Sequence, residues 1–144
     1  MITRYESPIV EVVCRVIVPF VQVFALYVIT HGHYGPGGGF QGGVILAASF
    51  LLLRLCLGGE LAHQKLPPRL AIALGAFGVL LYGLTGLVPM MAGGQYLDYG
   101  HLPIPGVSGA ELRYVGILIV EIGIAFGVLG IMVGIFDNLV ERQS

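Results

Sequence analysis

Four long apolar stretches constrain this chain more than any other feature. They cover residues 12–30, 38–57, 70–91 and 114–136, and each approaches the roughly 20 residues that a bilayer-spanning helix requires. Such stretches must be helical, because the lipid interior cannot satisfy free backbone N–H and C=O groups. The sequence therefore predicts an all-α membrane protein in which residues 1–144 form a single domain of four transmembrane helices.

The composition excludes an ordinary water-soluble domain. Hydrophobic residues make up 56% of the 144 residues and charged residues only 10%, whereas about 25% of a typical soluble domain is charged. A net charge of −1 gives no reason to expect nucleic acid as a partner. Cys14 and Cys56 are interpreted as apolar thiols rather than as a disulfide framework. The chain has no CxxC or Cys/His cluster, so we expect neither a metal nor a cofactor.

The basic residues predict an orientation in the membrane. Four spans place both termini on one side, which carries six basic residues, whereas the other side carries only Arg113. The positive-inside rule then predicts cytoplasmic termini, a cytoplasmic 54–69 loop, and an external 31–39 turn and 92–113 loop. The six residues on the cytoplasmic side are Arg4, Arg15, Arg54, Lys65, Arg69 and Arg142.

Glycines form a smooth stripe on the fourth span. At 100° per residue, five of them fall within about 60° of arc, and a broader stripe occurs on the third span. Small-residue stripes let membrane helices approach closely, so we expect the third and fourth spans to pack on each other. The fourth-span stripe consists of Gly116, Gly123, Gly127, Gly130 and Gly134, and the third-span stripe of Gly75, Gly78, Gly83 and Gly86.

Glu121 lies about 150° from the centre of the fourth-span glycine stripe. An acidic side chain near mid-membrane costs roughly 2.5–3.5 kcal/mol on insertion scales, so its face requires a second protein surface or a wet cavity. We therefore expect the fourth span to be sandwiched and the chain to be stable only within a hetero-oligomer. Two interpretations of Glu121 remain open: it binds or relays a cation, or it is a protonated, hydrogen-bonded packing residue.

The first span has a polar stripe formed by Glu11, Arg15, Pro19 and Gln22. Glu11 and Arg15 are spaced i,i+4 in the order that favours an ion pair. Two interpretations are possible: the pair anchors the helix at the interface, or the stripe belongs to an ion path.

A glycine-rich turn over residues 31–43 precedes the second span. Glycine permits positive φ and close backbone approach, and Pro36 favours the start of a helix. Free N–H groups at that start could hold an anion or orient a water. The turn is not a nucleotide-binding loop, because no Lys-Ser/Thr follows it. His31 and His33 have no third ligand nearby in the sequence, so we expect no metal there.

Residues 32–53, GHYGPGGGFQGGVILAASFLLL, resemble the signature of the B subunit (MnhB/MrpB family) of Mrp-type multisubunit cation/proton antiporters. The resemblance covers the whole chain, because the family also has four spans and about this length. The same subunit type occurs in the membrane arms of related hydrogenase and sulfane-sulfur reductase complexes. The residues that carry the resemblance are Gly32, His33, Pro36, Gly37, Gly38, Gly39, Phe40, Gly42 and Gly43.

The resemblance implies a small non-catalytic subunit of a Na⁺/H⁺ antiporter in the cell membrane of a bacterium or archaeon. Its partners would be the large antiporter-like subunits, which carry the proton relay in this family, together with other small subunits. The single lysine, Lys65, is predicted to lie in a loop and cannot build that relay. We name Glu121, His33 and Gln41 as candidate residues of an ion path. At position 41 antiporter members often carry an aliphatic residue, and a glutamine there is similar to the respiratory-complex relatives.

Two alternatives to the free antiporter remain open at this stage. In one, the chain is the homologous subunit in the membrane arm of a redox-driven ion pump. In the other, it is a self-sufficient channel or transporter that homo-oligomerises through its glycine faces. An intramembrane enzyme is disfavoured, because the sequence offers no nucleophile–base pair.

Overall fold

The computed structural model of the protein describes residues 7–32 and 37–141, without the side chains of residues 59, 60 and 141. Four of its helices are long and apolar enough to cross a membrane, which confirms the predicted all-α, four-span architecture. In chain order the helices are α1 (Pro8–His31), α2 (Gly39–Leu57), the short α3 (Gly59–Lys65), α4 (Pro68–Met91) and α5 (Gly109–Glu141), with a 3₁₀ turn at Tyr99–His101.

Proline and glycine set the helix boundaries. α1 and α4 each begin with a proline in the first turn, where the missing N–H costs no intrahelical hydrogen bond. α1 continues through Pro19. Gly58, with a φ of 81°, separates α2 from α3, and Gly93, with a φ of 87°, follows the end of α4. Both glycines adopt a left-handed conformation that other residues rarely take.

The long helices lie in the spatial order α1–α2–α5–α4. α1 packs on α2, α2 on α5, and α5 on α4, so α2 and α5 form the centre of the bundle and are its more buried spans. α2 and α5 run parallel to each other, while α4 is antiparallel to α5. The outer helices, α1 and α4, expose large apolar side chains such as Phe20, Val23 and Leu80, as expected for surfaces that face lipid or another subunit.

α4 and α5 pack through their glycines, as predicted. A Cβ atom on Gly78 would lie 2.5 Å from the Gly127 nitrogen and would overlap the Gly123 carbonyl oxygen. Gly130 meets Gly75 in the same way. Gly78, Gly123 and Gly130 therefore remove the side chains that would otherwise hold the two backbones apart, whereas a Cβ atom on Gly127 would meet nothing within 4 Å.

Not every predicted glycine belongs to the α4–α5 contact. Gly116 packs against Tyr99 and Gly86 against Tyr96, so both receive the 92–108 segment instead. A Cβ atom on Gly83 or Gly134 would meet nothing within 4 Å. The predicted glycine faces therefore do face each other. Within the described residues, however, some of their glycines contact the 92–108 segment and others contact no neighbouring element.

The opposite face of α5 is covered by the chain itself, which corrects one prediction. Glu121 was expected to need a second protein surface or a wet cavity, and the chain was inferred to be a subunit because four helices offered few candidates to cover both faces of the fourth span. The structure places the start of α2 against Glu121, so α5 is sandwiched between α2 and α4 within one chain. The face of Glu121 therefore gives no argument for a hetero-oligomer.

The region between the second and third spans was predicted as a loop, and this is wrong. α2 ends at Leu57, where the predicted 38–57 span ends, but the rest of the predicted 54–69 loop contains the short helix α3 after Gly58. Arg54 is thus a buried residue of α2, and Lys65 is the last residue of α3 rather than a loop residue. α5 also extends past both predicted boundary residues, Arg113 and Asp137. The Arg113 side chain is exposed, and the Asp137 carboxylate accepts a hydrogen bond from Arg54.

Cys14 and Cys56 form a disulfide between α1 and α2, with their Cα atoms 6.7 Å apart. The prediction of two separate thiols is therefore wrong. Their 42-residue separation in sequence hid their proximity, which arises because the antiparallel packing of α1 and α2 brings the first turns of α1 beside the last turn of α2. Both residues are buried in that contact.

Candidate functional site

The Glu121 carboxylate lies against glycine backbone at the start of α2. A Cβ atom on Gly32 would come within 2.9 Å of Glu121 Oε1, and one on Gly38 within 3.3 Å. Glu121 is itself half-buried. Glycines from the end of α1 and the start of α2 thus make the space that the carboxylate occupies, and any side chain there would reduce it.

Two further motif glycines bring α2 onto α5. A Cβ atom on Gly39 would overlap the Glu121 carbonyl oxygen, and one on Gly43 would lie 2.9 Å from the Ala125 Cα atom. Gly42 instead faces α1, where a Cβ atom would lie 2.9 Å from the Ala25 carbonyl oxygen. The motif therefore packs α2 against two helices at once.

The backbone at the start of α2 provides a favourable electrostatic environment for a carboxylate. The Gly38 N–H donates a hydrogen bond to the Val28 carbonyl at 3.3 Å, and the Gly42 N–H donates to the Gly38 carbonyl at 2.9 Å. The first N–H groups of a helix carry partial positive charge and lack intrahelical acceptors. Glu121 lies beside this end of α2, so its negative charge is better tolerated there than in lipid.

Only some of the predicted site residues meet at this position. Gly32, Gly38 and Gly39 contact Glu121. Gln41 and Phe40 lie on the exposed side of α2, and the structure therefore does not bring Gln41 to Glu121. His33 and Pro36 lie outside the described residues, as do Arg4 and Arg142 of the charge argument.

A buried ion pair lies at the other end of the α2–α5 contact. Arg54 Nε donates to Asp137 Oδ1 at 2.6 Å and Arg54 Nη2 donates to Asp137 Oδ2 at 2.9 Å, a bidentate geometry. Arg54 Nη2 also donates to the Leu66 carbonyl at 3.0 Å, and His63 Nε2 lies 3.7 Å from Asp137 Oδ1. Only 1% of the Arg54 side chain is exposed.

Sequence reasoning missed this pair. Both residues lie where an apolar span meets a more polar segment, so each was interpreted as a boundary. The sequence did contain one indication of it, because ionisable residues within membrane spans usually pair with one another. Asp137 lies sixteen residues after Glu121, about 24 Å along α5, and each of the two acidic residues contacts one end of α2.

The predicted Glu11–Arg15 ion pair is confirmed. Arg15 Nη2 lies 2.7 Å from Glu11 Oε1, and 57% of the Arg15 side chain is exposed. Among the described residues, no group of three or more His, Cys, Asp or Glu side chains could hold a metal ion.

The segment between α4 and α5 packs its tyrosines on helix glycines. The ring of Tyr96 lies over Gly86 of α4, and Tyr99 lies over Gly116 of α5. Burial raises the pKa of the Tyr99 hydroxyl above its usual value near 10, and neighbouring Tyr82 and Tyr96 raise it further. Tyr99 thus remains a neutral packing group that holds the segment over the end of the bundle.

Comparison with known proteins identifies the family. The family described as "Domain related to MnhB subunit of Na+/H+ antiporter" matches residues 9–134, most of the chain. This chain belongs to the MnhB family.

Curated members of the MnhB family agree with this assignment over their full length. Proteins of Staphylococcus aureus strains Newman, JH1 and USA300, each named "Putative antiporter subunit mnhB2", are 32% identical over 145 residues, covering 98% of this chain and 99% of each relative. The glycine-rich stretch that suggested the family from sequence is thus the same stretch that packs against Glu121.

Proposed function

We propose that this chain is a non-catalytic membrane subunit of a multisubunit Na⁺/H⁺ antiporter. The family match over residues 9–134 carries this proposal, together with relatives that are named antiporter subunits and match nearly end to end. The four spans support a multi-pass protein of the cell membrane. Its partners are then the other subunits of an Mrp-type complex, and Na⁺ and H⁺ are the ions that the complex exchanges.

Within that complex, we assign Glu121 a role in cation translocation rather than in packing alone. The supporting observation is its position: a carboxylate about 18 Å from the first residue of α5, held beside glycine backbone at the start of α2. A carboxylate at such a depth can exchange a proton for a cation, because either ligand neutralises its charge. The glycines make the space that the carboxylate occupies, and side chains at Gly32 or Gly38 would crowd it.

Replacement of Glu121 by glutamine tests this role in the assembled complex. Glu121→Gln keeps the volume and most hydrogen-bonding capacity but removes the exchangeable charge. We expect normal assembly, with Na⁺-dependent proton exchange in membrane vesicles lowered about fivefold, equivalent to about 1 kcal/mol in the barrier, or shifted in its pH profile. A partial effect is expected because the family resemblance assigns the main proton relay to other subunits.

Glu111→Gln is the matched control, since Glu111 lies exposed in the first turn of the same helix. It should assemble and exchange ions like the unmodified complex. If Glu121→Gln assembles and its exchange activity is unchanged between about pH 6 and about pH 9, Glu121 is a packing residue and the assigned role is wrong.

A further inference from the structure

A groove of about 600 Å³ opens on the side of the bundle where α1 begins and α2 ends. Its walls come from α1, the last turns of α2, and α3. The volume lies within the 300–1,000 Å³ typical of small-molecule sites. The groove is separate from the Glu121 site, because α2 is parallel to α5 and Glu121 lies at the opposite end of α2.

Two cations lie at this groove, Arg15 from α1 and Lys65 from α3, with the Gln64 amide beside Lys65. Glu11 accepts from one Arg15 nitrogen, but a guanidinium has five N–H donors and more than half of this side chain is exposed. Lys65 is also exposed. The mouth therefore presents several cationic donors that are free to bind an anion.

Away from its mouth the groove is lined by apolar side chains, with Gln22 of α1 as the polar exception. Val18 and Leu53 are nearly fully buried at its base, with Leu57 beside them. Phe50 and Pro19 extend the apolar surface toward the middle of the spans. An occupant must therefore combine a negatively charged head with an apolar body.

Arg15 lies about 10 Å along α1 from its first residue, and a long basic side chain there can extend its guanidinium to the headgroup region. Lys65 lies beyond the end of α2, nearer to water. Basic pockets between membrane helices bind anionic lipid headgroups. The cationic groups of the groove can therefore meet a headgroup, while its apolar lining lies farther along the spans, where acyl chains pack.

We propose that this groove is a binding site for one anionic phospholipid of the leaflet on that side. The phosphate lies between Arg15 and Lys65, and an acyl chain lies along Leu53 and Phe50. The combined charge and apolar length favour a phospholipid over free phosphate, which would leave the apolar walls uncovered. The site is independent of the role assigned to Glu121.

The test uses the purified complex and mass spectrometry of retained lipid. In the double variant Arg15→Gln/Lys65→Gln, we expect loss of one tightly held phosphatidylglycerol or cardiolipin per complex. Titration with phosphatidylglycerol should show affinity weakened about fivefold per charge removed, since each cation near a membrane surface contributes about 1 kcal/mol. Phosphatidylcholine and inorganic phosphate should compete poorly.

Arg69→Gln is the matched control, because Arg69 is exposed at the start of α4 and does not line the groove. It should retain the lipid. Equal lipid retention in the double variant and the control would overturn the proposal, as would competition by inorganic phosphate as effective as that by phosphatidylglycerol.

A photo-crosslinking amino acid at Leu61, an exposed wall residue, distinguishes lipid from protein. We expect a lipid adduct in the assembled complex. A crosslink to another subunit instead would show that a protein segment fills the groove and would overturn the proposal.

Discussion

At the scale of single residues, adjacent glycines in the motif serve different purposes. Gly38 has a φ of 123° and a ψ of −175°, a conformation available essentially only to glycine. Gly39 is required because a Cβ atom there would overlap the Glu121 carbonyl oxygen. Gly37 has neither a positive φ nor a backbone contact that excludes a side chain, because a Cβ atom there would be 3.4 Å from its nearest neighbours.

This difference predicts distinct outcomes for matched alanine substitutions. Gly39→Ala should lower the stability of the chain in the complex by about 1–3 kcal/mol, since it overpacks a backbone contact. Gly37→Ala should be tolerated. The measurement is the amount of this chain in the assembled complex and the temperature at which it dissociates. Equal behaviour of the two variants would contradict this assignment.

Gly38→Val should also disrupt assembly, for a different reason. A β-branched residue resists positive φ, and the strain of such a backbone conformation is of order 1–3 kcal/mol. Assembly is measured as before. Normal assembly with lost ion exchange would instead assign Gly38 a direct role in the ion path.

At the scale of helices, α2 and α5 contact each other at both ends, and a different type of interaction holds each end. Glycine backbone against Glu121 joins them at one end, and the Arg54–Asp137 ion pair joins them at the other. The ion pair also reaches α3, because Arg54 donates to the Leu66 carbonyl just after that helix. The pair therefore fixes the position of α3 relative to the bundle.

Asp137→Asn should be strongly destabilising. It leaves the Arg54 charge buried and uncompensated, which costs about 3–5 kcal/mol for broken buried pairs. The double variant Arg54→Met/Asp137→Leu removes both charges and should recover most of that loss, because buried pairs often exchange for apolar residues at little cost. Dissociation temperatures of the complex compare the variants. An Asp137→Asn variant as stable as the unmodified complex would show that the pair contributes little.

At the scale of the whole molecule, orientation remains a prediction. The structure removes Arg54 from the charges of the second loop, since its guanidinium is buried against Asp137. Lys65 and Arg69 remain exposed at that end, and Arg113 lies at the other. The asymmetry is smaller than the sequence indicated but has the same sign, so the positive-inside rule still predicts cytoplasmic termini.

Reporter fusions test this orientation. A fluorescent protein after Ser144 should fluoresce, since it folds in the cytoplasm, and alkaline phosphatase inserted at Gly106 should be active outside. Gly106 is suitable because it is exposed and a Cβ atom there would meet nothing within 4 Å. Exchanging the two reporters supplies the control. Active phosphatase after Ser144 would reverse the predicted topology.

The sequence by itself determined the four spans, the glycine faces and the family resemblance. Hydrophobic length requires a membrane helix, and 3.6-residue periodicity assigns residues to faces. The i,i+4 pair Glu11–Arg15 was predictable for the same reason, because both members lie on one helix.

Only the tertiary structure decided which faces meet. Periodicity states that Glu121 and the fourth-span glycines point apart, but not that α2 covers one face and α4 the other. Arg54 and Asp137 are 83 residues apart in sequence, and Cys14 and Cys56 are 42 apart. Such contacts depend on the order of the helices in space. That order is determined by small differences in packing energy among many possible helix pairs, and no single segment encodes it.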